Sequence, residues 1–105
     1  MIVMCEHQST VNPNMPLRLL RYVCDTLYPR FVNKDTLYSK YLTGIPAPKF
    51  AVLYNGTDKL NNNVLKLSDS FRVKDQAMLE LIVNLYDVNH GSRPVHKGRN
   101  TRRIP

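Results

Sequence analysis

A carboxylate and a side-chain amide stand two residues apart near the start of the chain, Glu6 and Gln8. They lie in residues 2–10, Ile-Val-Met-Cys-Glu-His-Gln-Ser-Thr, which read as a β-strand. Side chains alternate along a strand, so Met4, Glu6 and Gln8 share one face and Val3, Cys5 and His7 the other. A carboxylate placed there can hold a Mg²⁺ ion. The polar group beside it can position a water for in-line attack on a phosphate. Taken alone the pair is also what an ordinary solvated strand face displays.

The other chemistry-bearing residues form no set. Cys5 and Cys24 make neither a disulfide framework nor a four-ligand zinc site, and they read as free buried thiols. His7, His90 and His96 follow no ligand spacing. The four glycines do not cluster into a phosphate-cradling loop, and no Gly-x-Ser-x-Gly element is present.

The elements that must position Glu6 and Gln8 follow from the pattern around them. Asn12-Pro13-Asn14 ends the strand, with Asn14 as the expected N-cap and Pro16 in the first helical turn. Leu17, Leu20, Cys24, Leu27 and Phe31 recur at helical spacing, and Leu19 and Val23 widen the stripe. A helix packed on a sheet is expected, with Arg18, Arg21 and Asp25 on its other faces. Pro29 should end or kink it near Tyr28. A short second helix is expected over residues 35–41. Strands are expected over 49–54, 64–67 and 79–88, the last with Leu79, Leu81, Val83 and Leu85 on one face. Asn55-Gly56 marks a turn. This order predicts an α/β or α+β fold with a small mixed sheet.

The chain's 105 residues make one small domain of ordinary globular composition, 43% hydrophobic and 22% charged. No apolar run approaches the roughly 18 residues of a membrane span, and the short apolar start is no signal peptide. A cytoplasmic location without membrane contact is expected. Residues 1–90 carry ten Lys+Arg and eight Asp+Glu, a net of +2, so residues 91–105 supply +5 of the total +7. That tail has no apolar periodicity, and residues 90–105 are expected to be disordered.

Glu6-His7-Gln8-Ser9-Thr10, Asn12 and Asn14-Met15-Pro16-Leu17-Arg18 together resemble the hallmark stretch of the recombination-promoting nuclease (YhgA-like transposase) family, within the PD-(D/E)xK nuclease superfamily. Three later blocks agree in order. They are Ile45-Pro46-Ala47-Pro48-Lys49-Phe50 leading into Leu53-Tyr54-Asn55-Gly56-Thr57, then Leu65-Lys66-Leu67-Ser68-Asp69-Ser70-Phe71, then Leu79-Glu80-Leu81 running to Asn89-His90-Gly91. The resemblance covers roughly residues 3–91. It implies a restriction-endonuclease-like core, a mixed sheet flanked by helices, and Mg²⁺-dependent cleavage of DNA linked to recombination and mobile elements. It also implies that Glu6 is the metal-binding acid and that Gln8 orients the attacking water.

The resemblance has gaps. The family's partner Asp lies on the strand before the Glu-x-Gln strand, and only five residues precede Glu6. The expectation is a core truncated at its N-terminal side, inactive alone, with residues 1–91 as the partial nuclease domain and 92–105 as a basic tail. The unpatterned sequence after Gly91 fits a frame change in a truncated gene. Met4 and its neighbours would lie at an open sheet edge. Two further readings remain. One is a non-catalytic DNA-binding module using Arg18, Arg21, Lys97, Arg99, Arg102 and Arg103. The other is a module that docks on a full-length paralogue, or on itself, through the open edge.

Overall fold

The computed structural model describes residues 1–89 and the backbone of residues 101–103. Strand β1 (Ile2–Gln8) runs parallel to β2 (Pro48–Tyr54) along its whole length, from Ile2 opposite Pro48 to Gln8 opposite Tyr54. Strand β2 pairs in parallel with β4 (Ile82–Asp87), and the short β3 (Val64–Lys66) closes that edge antiparallel to β4. A three-residue β5 (Thr101–Arg103) lies parallel to β1 on its other side. The sheet order is β3-β4-β2-β1-β5. The protein is therefore a small α/β fold, a mixed sheet with one main helix.

That helix, α1 (Met15–Tyr22), connects β1 to β2 and covers the sheet face bearing Met4, Phe50, Val52, Val83 and Leu85. Its N-terminus sits where the sequence places it, but Asn14 makes no side-chain cap. Asn12 shapes the turn instead. Its side chain accepts from the Asn14 N–H at 2.9 Å and its carbonyl from the Met15 N–H at 3.2 Å.

The buried stripe differs from the expected one. Met15, Leu19, Val23 and Leu27 face the sheet, whereas Leu17 and Phe31 are 44% and 41% exposed. Pro29 is the cause. It has no N–H for the carbonyl of Asp25 and its ring would crowd that carbonyl. The helix therefore widens over Val23–Leu27, where the Tyr28 N–H reaches back five residues to the Val23 carbonyl, and then tightens over Tyr28–Arg30. The wide turn keeps the every-fourth-residue row over the sheet as far as Leu27. The same rotation leaves Cys24 exposed, and Cys5 is half-buried, so neither thiol is the buried one expected.

The second helix, α2 (Lys34–Leu37), is shorter than expected. A capping box between Asn33 and Thr36 starts it. The Thr43 hydroxyl donates to the Thr36 carbonyl at 3.0 Å and folds the chain back. Strand β4 begins at Ile82 rather than residue 79. The Glu80 carboxylate takes the N–H groups of Ser68 and Leu81 at 3.0 and 3.1 Å, and the Leu67 N–H takes the Leu81 carbonyl. The Glu80 side chain thus takes the place of regular backbone pairing one residue beyond the Leu67–Leu81 bond. Val83 and Leu85 point into the core as expected, while Leu79 is exposed.

After β2 the chain turns at Asn55-Gly56 close against the β1–α1 connection. A Cβ on Gly56 would overlap the Ser9 carbonyl and the Tyr54 ring. Only a residue without a side chain permits that approach.

Two expectations about the tail meet β5. Residues 101–103 are strand, not disordered, and the rest of residues 90–105 lie outside the described residues. Strand β5 also corrects the open edge at Met4, which is flanked by Phe50 on one side and Arg102 on the other. Three polar residues pairing with a strand almost a hundred positions away leave no periodicity to read. Among the described residues, no helix is long and apolar enough to cross a membrane.

Candidate functional site

Glu6 and Gln8 project from the C-terminal half of β1 on the face that carries α1, as strand alternation requires. Their side chains touch. Gln8 Nε2 donates to Glu6 Oε2 at 2.5 Å and also contacts Met15 Sδ at 3.1 Å. Gln8 Oε1 accepts the Asn12 N–H at 3.0 Å. The amide therefore ties the end of β1 to the turn that launches α1.

Arg18 comes to the same cluster from the first turns of α1. Its Nη2 lies 3.5 Å from Glu6 Oε1 and its Nη1 3.1 Å from Met15 Sδ. The Arg18 and Glu6 side chains are 40% and 23% exposed, so water screens the pair and its contribution to stability is small. One Glu6 oxygen accepts from the Gln8 amide and the other faces the Arg18 guanidinium, so both oxygens already have a neighbour.

A Mg²⁺ ion bound by protein usually takes one or two carboxylates together with substrate oxygens. Among the described residues, no group of three or more His, Cys, Asp or Glu side chains could hold a metal. The cluster offers one acid with a fixed cation 3.5 Å away. These residues by themselves do not fit the ion.

The remaining sequence candidates are not gathered here. Arg21 pairs with Asp25 at 3.3 Å, one turn along α1 and well exposed. Arg102 and Arg103 lie in β5, in register with Met4 and Cys5. Lys97 and Arg99 lie outside the described residues. The sequence reading missed Met15 and Asn12 as partners of Gln8, and it placed Arg18 away from the sheet-facing stripe without pairing it to Glu6. The strand-turn-helix order was the available signal for Arg18. A helix launched from the end of β1 returns its first turn over the side chains it has just left.

One further carboxylate has a shifted affinity for its proton. Glu80 sits below the ordinary glutamate value because Ser68 donates to it, from its side chain first and then from its backbone N–H, with Leu81 and the Lys66 charge adding. It anchors the start of β4.

No protein-family model matches the chain, and neither the curated proteins nor the solved structures contain a match to it.

Proposed function

We propose that the chain is part of a Mg²⁺-dependent DNA endonuclease of the recombination-promoting (YhgA-like transposase) type, acting in the cytoplasm and silent on its own. The carrying observation is the contact of Glu6 with Gln8 on one strand face, followed by a helix and a parallel strand. That arrangement supports reading the pair as the Glu-x-Gln element that the sequence resemblance implies. Glu6 supplies one of the acids such a site uses. Gln8 holds the carboxylate in position, Arg18 occupies the place beside it that a weakly bound metal ion would take, and a second acid would tighten the site. A full-length paralogue is the candidate source of that acid.

The test needs no cleavage. Mg²⁺ at about 10 mM, above the roughly millimolar dissociation constants of weak oxygen-ligand sites, should leave the melting temperature of the unaltered chain unchanged. Arg18→Ala removes the competing cation and should acquire a Mg²⁺-dependent rise in melting temperature. Glu6→Ala added to Arg18→Ala should abolish that rise. An Arg18→Ala chain indifferent to Mg²⁺ removes Glu6 as a metal acid and the nuclease reading with it. The second reading, a non-catalytic DNA-binding module, is supported by the net charge of +7 and requires DNA affinity unaffected by Glu6→Ala.

A further inference from the structure

Between Arg30 and Thr43 the chain carries Arg30, Lys34 and Lys40 against a single acid, Asp35. This stretch follows the end of the main helix, turns through α2 and leads toward β2. The Thr43 hydroxyl on the Thr36 carbonyl closes residues 36–43 into a loop, and the Ser39 hydroxyl accepting the Tyr41 N–H shapes its tip. The rings on this excursion are turned outward. Tyr38 is 79% and Tyr41 73% exposed, and Phe31 is also exposed. Lys40 Nζ stands 5.4 Å from the centre of the Tyr41 ring, so a cation and a π-face are presented side by side.

Exposed rings interleaved with cations are what a single-stranded nucleic acid binds. Unpaired bases stack on the rings and phosphates meet the cations, and neither contact depends on sequence. A second copy of this chain is a poorer occupant, because the positive excess of residues 30–43 would face itself. A duplex is poorer too, because its bases are already stacked. We infer that the loop around Tyr38, Lys40 and Tyr41 is a contact site for single-stranded nucleic acid. The site is separate from Glu6 and Gln8 and does not rest on the nuclease reading, since it needs neither metal nor cleavage.

Fluorescence anisotropy of a labelled oligothymidylate of about 15 nucleotides, within the range one small domain covers, tests it. The full chain is used without Mg²⁺. Tyr38→Ala combined with Tyr41→Ala should weaken binding at least fivefold, the low end of the loss of one stacked base. Lys40→Gln should lower the salt dependence by about 0.7 in log–log slope, one phosphate contact on a single strand. Both substitutions are at exposed positions, and an unchanged melting curve confirms that the fold is intact. The full chain should bind the single strand more tightly than the matching duplex.

Equal affinity of the double tyrosine variant and the unaltered chain overturns the inference, as does equal loss on the duplex. Loss of binding to phosphatidylserine vesicles with oligonucleotide binding intact also overturns it and assigns the rings to a membrane surface. Failure of the Mg²⁺ experiment leaves this result untouched, and failure here leaves the Mg²⁺ experiment untouched.

Discussion

Gln8 uses its whole amide on neighbours, and that decides how it should be tested. Its oxygen holds the half-buried Asn12 N–H, and its nitrogen holds Glu6 and Met15. Gln8→Ala leaves a partly buried N–H without a partner, which costs about 1–3 kcal/mol. For a domain of this size each kcal/mol lowers the melting temperature by roughly 4–8 °C. A residue that served only to orient a water would melt unchanged on removal, so thermal denaturation of Gln8→Ala separates the two roles. Glu80 makes the second prediction at this scale. Its folded value lies below 4.5 because the charged form accepts from Ser68 and Leu81. The folded state thus prefers the carboxylate. The stability this contributes is present above pH 4.5 and is lost as pH falls through the lower folded value. Urea midpoints of the unaltered chain should fall through that window more steeply than those of Glu80→Gln. Parallel curves would show that the carboxylate's bonds do not bear on folding.

At the scale of elements, what the sequence disclosed was local. Alternation in β1 put Glu6 and Gln8 on one face because two residues of strand settle it. The start of α1 was legible because Pro16 and the Asn-Pro-Asn run act within one turn. The row of α1 that meets the sheet was not. Its continuation to Leu27 depends on the wide turn at Val23–Leu27, a response to Pro29 that no periodicity at 3.6 residues contains. The approach of Arg18 to Glu6 and the early bonds of Glu80 that shorten β4 are likewise products of assembly. The corrected helix row has a direct measurement. Leu19 is fully buried, and Leu19→Ala should cost about 2–5 kcal/mol in chemical denaturation. Leu17, counted with the core by spacing, is 44% exposed, and Leu17→Ala should stay within about 0.5 kcal/mol of the unaltered chain. A reversed order of the two would mean that the helix sits rotated on the sheet.

For the whole molecule, charge and edge protection reside in the same terminal stretch. Residues 91–105 contribute +5 of the net +7, and Thr101–Arg103 form the strand outside β1. A chain ending at residue 91 would therefore lose two defences against association at once. Its net charge would drop to +2, the excess of ten basic over eight acidic residues in the remainder. The backbone of Val3–Cys5 would lose its ladder partner and present an unpaired edge beside a half-buried thiol. Like charge keeps molecules apart, and unpaired edges draw them together. Light scattering across a concentration series should give one mass for the full chain and a rising mass for the shortened one. Salt separates the two contributions. If lost repulsion dominates, screening at 0.5 M NaCl, where charges are shielded within a few ångströms, should bring the full chain to the same behaviour. If the open edge dominates, the full chain should keep its mass at high salt, because backbone pairing by β5 does not depend on net charge. A shortened chain of constant mass would show that β5 guards nothing. The DNA affinity of the shortened form would then measure the tail's electrostatics alone.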